Sequence, residues 1–473
     1  MCNLGFFGKY VGKPRKLGVR GFAWSCQGRS YSCISLTSLI ILHLSVILAW
    51  QGSRCGMRLP PSGNDFILHS GTSTAGTRFP FFSYLKTMQV KPIWHFVLDE
   101  KFIDDVIHDC EAVQPGIHRY VVVQDFVAPL KSIKQKEHVI FLTIAEAEQV
   151  LRAGKDIRLA IFHSLFSVHP YLVRITHPAI KVLSVIWGGE VSLGMMGESL
   201  FAPFTKELLP IIPEFQNWVG IDQRLALNPT EVYQSVCPHV REALLRSNFI
   251  GTIVPPEIHQ LSRWLGVDVS SRFVRLNYGS VEDMLGQDLF RLPIDFERKA
   301  RDILIGNSNA VTNNHIDVFV QLQHLKQEHS RWIVPLSYVE PPSYKSVVIQ
   351  MGLRLGTNRF FPLLEFMDRN RYNQILVNCT SAIFRHHRQQ AVGNVITALW
   401  LGSRVYLSQH SPVPEFMEQI GCEFFLVEQE QNVQAFCEPL PRAAMQQNRD
   451  ALMAEYASCV VRERFRQVCL LAE

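Results

Sequence analysis

From Met88 onward, short apolar runs alternate with segments of helical period, and that alternation leaves few folds open. In the first half the runs fall at 93–98, 120–123, 138–142, 159–162, 182–187 and 249–254. In the second half they fall at 302–305, 332–335, 360–364, 382–384, 405–407 and 424–427. Helix-like segments lie between them at 102–112, 144–153, 232–245 and 258–265. Pro238 either kinks the third of these or marks a late start. Apolar strands separated by helices predict an α/β protein with parallel sheets covered on both faces. Ligands of such sheets bind beyond the carboxyl ends of the strands. Residues 275–300 read as a connection, and a second α/β unit begins near Lys299. The C-terminal 442–469 region reads as mostly helical.

Charge separates a short leading segment from the body. The chain carries +5 overall, but residues 1–87 alone carry +9 from ten Lys/Arg and the single acid Asp65. The body is therefore slightly acidic, and no nucleic-acid partner is expected. Residues 1–87 also hold Cys2, Cys26, Cys33 and Cys55 of the eleven cysteines. No pair has the spacing of a zinc or redox motif, so free thiols are expected. The apolar run 34–50 follows basic residues and suits a membrane anchor or a secretory signal. The favoured reading makes the whole segment a poorly ordered or non-native extension, because Met88 opens a fitting first strand. Three units follow: 1–87, an acceptor-side Rossmann-like domain over 88–285, and a donor-side domain with C-terminal helices over 286–473.

Two loops in the second half carry the chemistry. The first runs from Ile303-Leu-Ile into Gly306-Asn307-Ser308 and on through Thr312-Asn313-Asn314-His315. A strand, a glycine turn and a helix start make an anion site, since free N–H groups and the helix dipole favour phosphate. The plain alternative is an ordinary strand-to-helix loop. The second is Arg385-His386-His387-Arg388-Gln389-Gln390, followed by Ala-Val-Gly393-Asn394. Val392, Val395, Ile396, Leu399 and Trp400 have helical spacing, and Gly402 ends the helix. Cationic side chains thus precede a helix N-terminus, as a nucleotide diphosphate requires; a solvated basic turn is the alternative.

The first half offers polar groups at three strand ends: His95, His163-Ser164, and Trp187-Gly188-Gly189-Glu190. Buried histidines are commonly structural, and paired glycines commonly turn the chain. Glu190 and His163 are the catalytic candidates, Glu190 as an acceptor-side base or sugar ligand. The segment 193–213, with Met195, Met196, Phe201, Phe204 and Leu208, is either a membrane-facing patch or core.

These residues resemble the TDP-N-acetylfucosamine:lipid II N-acetylfucosaminyltransferases, glycosyltransferase family 56. The matching stretches are Ile303-Leu-Ile-Gly-Asn-Ser308 with Asn314-His315, Val334-Pro-Leu-Ser-Tyr338, Leu364-Glu-Phe366 and Arg388-Gln-Gln-Ala-Val-Gly393. Ile186-Trp-Gly-Gly-Glu190 and Phe162-His163 are similar to first-half stretches of the family, with Glu190 in place of aspartate. The resemblance implies a GT-B architecture, two Rossmann-like domains facing a cleft. It implies a TDP-sugar donor and a polyprenyl-diphosphate-linked saccharide acceptor, met at the membrane surface. The product would be enterobacterial common antigen or a related polysaccharide, made on the cytoplasmic face of a bacterial inner membrane. An epimerase or hydrolase of similar architecture, or a non-catalytic nucleotide-sugar-binding module, are the alternatives.

Glycosyl transfer builds charge on the leaving diphosphate, and donors aimed at it lower the barrier. Gly306, Asn307, Ser308, Arg388, Gly393 and Asn394 are the expected diphosphate contacts. Tyr338, Glu365, Gln389 and Gln390 are the expected nucleotide or sugar contacts. No Asp-x-Asp occurs in the chain, so neither a metal nor another cofactor is expected.

Overall fold

Short strands buried on both faces pair side by side into two sheets, and every pairing is parallel. The first sheet holds β1 (Ile93–Val97), β2 (His118–Val123), β3 (Val139–Leu142), β4 (Leu159–His163), β5 (Lys181–Ile186), β6 (Phe249–Thr252) and β7 (Phe273–Arg275). The second holds β8 (Asp302–Ile305), β9 (Trp332–Pro335), β10 (Phe360–Leu363), β11 (Cys379–Phe384), β12 (Arg404–Leu407) and β13 (Phe425–Leu426). The computed structural model describes residues 91–124, 129–212, 238–298, 300–325, 330–337 and 342–473, all within the unit Phe82–Glu473. The expected extension, its apolar run 34–50 and Tyr338 lie outside the described residues. No helix among the described residues is long and apolar enough to cross a membrane. All the described cysteines are free.

The sheet orders are β3-β2-β1-β4-β5-β6-β7 and β10-β9-β8-β11-β12-β13. Each order reverses direction once, between β1 and β4 and between β8 and β11. Such a switch point leaves a crevice beyond the carboxyl ends, where ligands of open α/β sheets bind. Alternate side chains feed separate cores on the two faces of a sheet. Leu304 joins one cluster with Ala382, Ile396 and Leu399, whereas Ile303 and Ile305 join another with Phe319, Trp332 and Tyr406.

Two segments depart from the sequence reading. The stretch read as a connection contains helix Val281–Phe290, capped by Ser280 and Asp283 and broken at Gly286 (φ 74°, ψ 162°). Strand β7 precedes it; its partial burial and three residues give too weak a pattern to read alone. The C-terminal helical region divides at Ala457. Helix Arg442–Tyr456 packs on the second sheet through Leu452 and Tyr456. Helix Ser458–Leu470 crosses to the first sheet, where Val461, Phe465 and Val468 join Ile93, Val106 and Ile107. Arg462 pairs with Asp109 at 3.2 Å, and the carbonyls of Leu471 and Ala472 accept from Lys181 and Arg158.

The candidate membrane patch is cement between the halves. Ala202 N–H donates to Asn314 Oδ1 and Phe204 N–H to Asp317 Oδ1, both at 2.9 Å. Phe201 is buried in the second-sheet core, which leaves Phe204 and Ile211 as its exposed large apolar side chains.

Phe465→Ala removes a ring that ties the chain's end to the first sheet. We expect a loss of about 3–5 kcal/mol in urea-unfolding stability, the range for emptying a buried aromatic site.

Candidate active site

The loops after β8 and β11 flank the second switch point, and hydrogen bonds lace them together. Gly306 takes φ +67°, and a Cβ there would lie 2.6 Å from Asn313 Oδ1. That lets Asn307 N–H donate to Asn313 Oδ1 at 2.9 Å. The same oxygen is 2.7 Å from His386 Nε2 of the second loop. The Asn313 amide donates to the carbonyls of Ser308 and Ala310 at 3.0 and 2.9 Å. Gln390 completes the lacing: it accepts from Thr312 Oγ1 at 2.7 Å and donates to Asn307 Oδ1 at 2.9 Å. Asn314 Nδ2 donates to the Arg385 carbonyl at 2.8 Å. Burial holds His386 well below the usual imidazole range, so it is a neutral donor here.

The second loop ends at helix Val392–Trp400. Its cap, Ala391, sits in left-handed backbone (φ 60°) and offers no side-chain acceptor to the first turn. A non-glycine residue there stores local strain, which is typical of ligand-binding turns. The space over Gly393 is open to 4 Å. The helix therefore presents uncapped N–H groups and its positive dipole end.

A cavity of about 380 Å³ lies in front of this helix, lined from both sheets. Asn307, Gln389, Gln390, Gly393 and Asn394 line it from the second half, as do Ser337, Phe366 and Arg369. Lys101, Asp105, Trp187 and Tyr278 line it from the first half. Asp105 and Arg369 pair across it at 3.2 Å. Burial raises Asp105 above the ordinary carboxylate range, with Arg369 opposing that shift. Burial also lowers Lys101, helped by the charge of Arg369. Gln389 Oε1 is buried beside this space without a hydrogen-bond partner, the mark of an acceptor awaiting a ligand.

The remaining sequence candidates sit elsewhere. Ser308 is buried within its own loop, and Glu365 is exposed near Phe366. Gly306 shapes the first loop from behind the cavity wall. Arg388 does not line the cavity: its guanidinium donates to the Gln389 carbonyl at 2.8 Å, within the field of two buried acids of the first half. Burial lowers it to about 10, while Glu190 and Glu257 support its charge. Glu190 accepts from the backbone N–H of Trp187 and Leu165 at 3.0 and 3.3 Å. Gly188, at φ +91°, brings this turn so close that a Cβ would lie 2.8 Å from the Gln389 carbonyl. His163 is fully buried, but its Nδ1 lies 2.6 Å from the Tyr278 hydroxyl in the cavity wall. Sequence reasoning missed Lys101, Asp105, Tyr278 and Arg369. Only Arg369 carried a local signal, following the helix cap Asp368.

Among the described residues, two groups could hold a cation: His95, Cys110 and His118, and His387, His410 and Glu428, each with ligand atoms within 4.8 Å of one another. None of the six lines the cavity.

Residues 289–451 match the family described as 4-alpha-L-fucosyltransferase glycosyl transferase group 56. The chain has the GT-B fold, and the group 56 pattern lies in its second half. Its fold is similar to that of Anabaena HepE in complex with UDP, with a TM-score of 0.56 and 10% identity over 81% of this chain and 100% of that one. Sucrose-phosphate synthase from Thermosynechococcus elongatus gives 0.54 and 11% over 81% of this chain and 99% of that one. The lipopolysaccharide outer core galactosyltransferase WaaB gives 0.51 and 10% over 81% and 100%. The GT-B expectation drawn from the resemblance therefore holds, as does the family resemblance over the matched residues.

Burial raises Glu257 from its ordinary 4.5 to about 8, with Glu190 adding to the shift and Arg388 opposing it. A raised carboxyl favours the fold while protonated. That contribution is complete below pH 4.5 and is lost as pH rises through about 8. Urea midpoints should therefore fall between those limits in the native protein, and Glu257→Gln should flatten that fall.

Proposed function

We propose that this glycosyltransferase moves a deoxy-acetamido sugar, N-acetylfucosamine or a close relative, from a TDP-sugar to a polyprenyl-diphosphate-linked saccharide. It acts as a peripheral protein at the cytoplasmic face of a bacterial inner membrane, in the assembly of enterobacterial common antigen or a related surface polysaccharide. The observation that carries the donor side is the uncapped N-terminus of Val392–Trp400, opening onto a two-sided cavity beside two interlaced loops. The group 56 match over those same loops supports the sugar, and the UDP named with HepE supports a nucleotide donor in this fold.

In this reading residues 88–285 form the acceptor side and 286–473 the donor side, with the boundary at the helix break of Gly286. The N–H groups at Gly393 and Asn394 bind the diphosphate, and Asn307 and Gln390 hold its flank. Arg369 and Lys101 supply cationic charge where the leaving group gains negative charge, a stabilisation that strengthens in the transition state. Gln389 Oε1 accepts from a sugar hydroxyl. Arg388 acts indirectly, by holding the turn that presents Gln389. Glu190 positions that turn, and His163 meets the cavity through Tyr278.

Thermal unfolding with TDP- and UDP-sugars tests the donor side, because a ligand of the native state raises apparent stability. We expect a shift on the order of a few degrees with TDP-N-acetylfucosamine at saturation. Gly393→Leu fills the open space over the helix and should abolish that shift while leaving the ligand-free melting temperature nearly unchanged. A retained shift would remove the helix from the diphosphate site. Transfer should persist in EDTA; loss of turnover on chelation, restored by a divalent cation, would overturn the metal-independent assignment.

A further inference from the structure

Three histidines cross the first sheet on one face. Pairing sets His118 of β2 opposite Ile93 of β1, and Phe162 of β4 opposite Phe96. His118, His95 and His163 therefore occupy successive even steps on three neighbouring strands, and side chains at even steps share a face. The rings meet end to end. His118 Nδ1 lies 2.9 Å from His95 Nε2, and His95 Nδ1 lies 2.9 Å from His163 Nε2. His163 Nδ1 lies 2.6 Å from the Tyr278 hydroxyl, which lines the cavity. At the far end His118 Nε2 makes no acceptable hydrogen bond, with Cys110 and Glu111 of the covering helix Ile103–Val113 near it.

We infer that Tyr278, His163, His95 and His118 form a proton relay that carries the acceptor hydroxyl's proton out of the cavity, across β4, β1 and β2, to His118 beside helix Ile103–Val113. The inference rests on the transferase reading for its direction, but the chain of rings stands without it.

Each ring nitrogen within the chain faces one partner, so a neutral chain has two complete polarities. In one, Tyr278 O–H donates to His163, His163 Nε2–H to His95, and His95 Nε2–H to His118 Nδ1. In the other, every N–H points back toward Tyr278. The exchange needs only one proton on each ring at any time, passed along the ring contacts. During transfer the acceptor oxygen bonds the sugar's anomeric carbon as the carbon–oxygen bond to the diphosphate breaks. The acceptor's proton passes to Tyr278 Oη, and one proton shifts along each link. His118 releases its Nε2 proton past Glu111 as Nδ1 takes up the shifted one, so no ring holds two protons. The negative charge released goes out on the diphosphate, so atoms and charge balance. Of the cavity's two carboxylates among the described residues, Asp105 is engaged by Arg369, and Glu100 lies within the field of Lys101. Phe102 and Trp187 pack edge-on against Tyr278 and fix its ring.

Nitrogen-15 NMR of the histidine side chains tests the chain without any substrate. Tyr278→Phe should move the ring-nitrogen signals of His118, two rings from the substitution, because losing one end link biases every tautomer. A change confined to His163 would overturn the relay. Kinetics with TDP-N-acetylfucosamine and a polyprenyl-diphosphate disaccharide give the second arm. Tyr278→Phe and His95→Gln should each lower kcat by about a hundredfold, a usual share for general base catalysis. Both should keep the donor's thermal shift, and the double variant should be no slower than either single one, because the groups act as a unit. Multiplying losses would overturn the proposal. His95→Gln keeps hydrogen bonds to both neighbours, so folding is preserved while the shuttle is broken. A wild-type protein unmoved by any nucleotide sugar would defeat the functional reading alone, since the NMR arm still decides the relay.

Discussion

Asn313 holds the two loops of the second half together. Its carbonyl oxygen receives the Asn307 N–H and faces His386, while its amide donates back into the Ser308–Ala310 turn. Two loops that are 73 residues apart in sequence thereby become one wall. The residue is buried, so each of these contacts replaces a bond to water; breaking one strands a polar group at a cost of about 1–3 kcal/mol. Gly306 is part of the same arrangement, because any side chain there would displace the Asn313 oxygen. The wall then leaves Gln390 to bridge Asn307 and Thr312, and the helix from Val392 opens beside it.

The halves meet through two devices of different character. Across the cavity mouth, Asp105 and Arg369 form a partly exposed ion pair at 3.2 Å, which salt and solvent weaken. Behind the cavity, Gly188 lies against the Gln389 carbonyl, and Arg388 faces Glu190 and Glu257. That second contact is buried, and burial raises both acids while Arg388 opposes the shift. Arg388 donates to the Gln389 carbonyl at 2.8 Å and so holds this backbone, leaving the Gln389 and Gln390 side chains beside the cavity.

The sheets were legible because parallel strands buried on two faces read as uninterrupted apolar runs, as in Ile303-Leu-Ile and Leu159-Ala-Ile-Phe. Both donor loops were legible for a related reason: a glycine at a strand end and a strongly amphipathic helix after a polar turn are local signals. The destinations of long side chains were not. Arg388 sits in the right loop, yet its guanidinium donates to the Gln389 carbonyl within the field of buried acids of the other half, which no spacing in the sequence reveals. His163 stood out as polar at a strand end, while its role depends on ring partners 68 and 115 residues away. Tyr278 lay in a stretch with the composition of a connection, so nothing local marked it as cavity wall.

The charge pattern of the cavity follows from the chemistry asked of it. On the proposed reading, the diphosphate side is built from backbone N–H groups and neutral amides, whose dipoles are fixed before the donor arrives and need no reorganisation as charge develops. Cations come from Arg369 and Lys101, which line the cavity from the two halves. A carboxylate beside the acceptor would have its basicity opposed by those same cations, as Arg369 opposes the upward shift of Asp105. A neutral phenol backed by neutral imidazoles avoids that conflict. It places no negative charge near the diphosphate in the resting state, and it moves the proton's positive charge away from Arg369 and Lys101 as transfer proceeds. The buried histidines therefore fit the electrostatics of this cleft better than an ionised acid at the same place would.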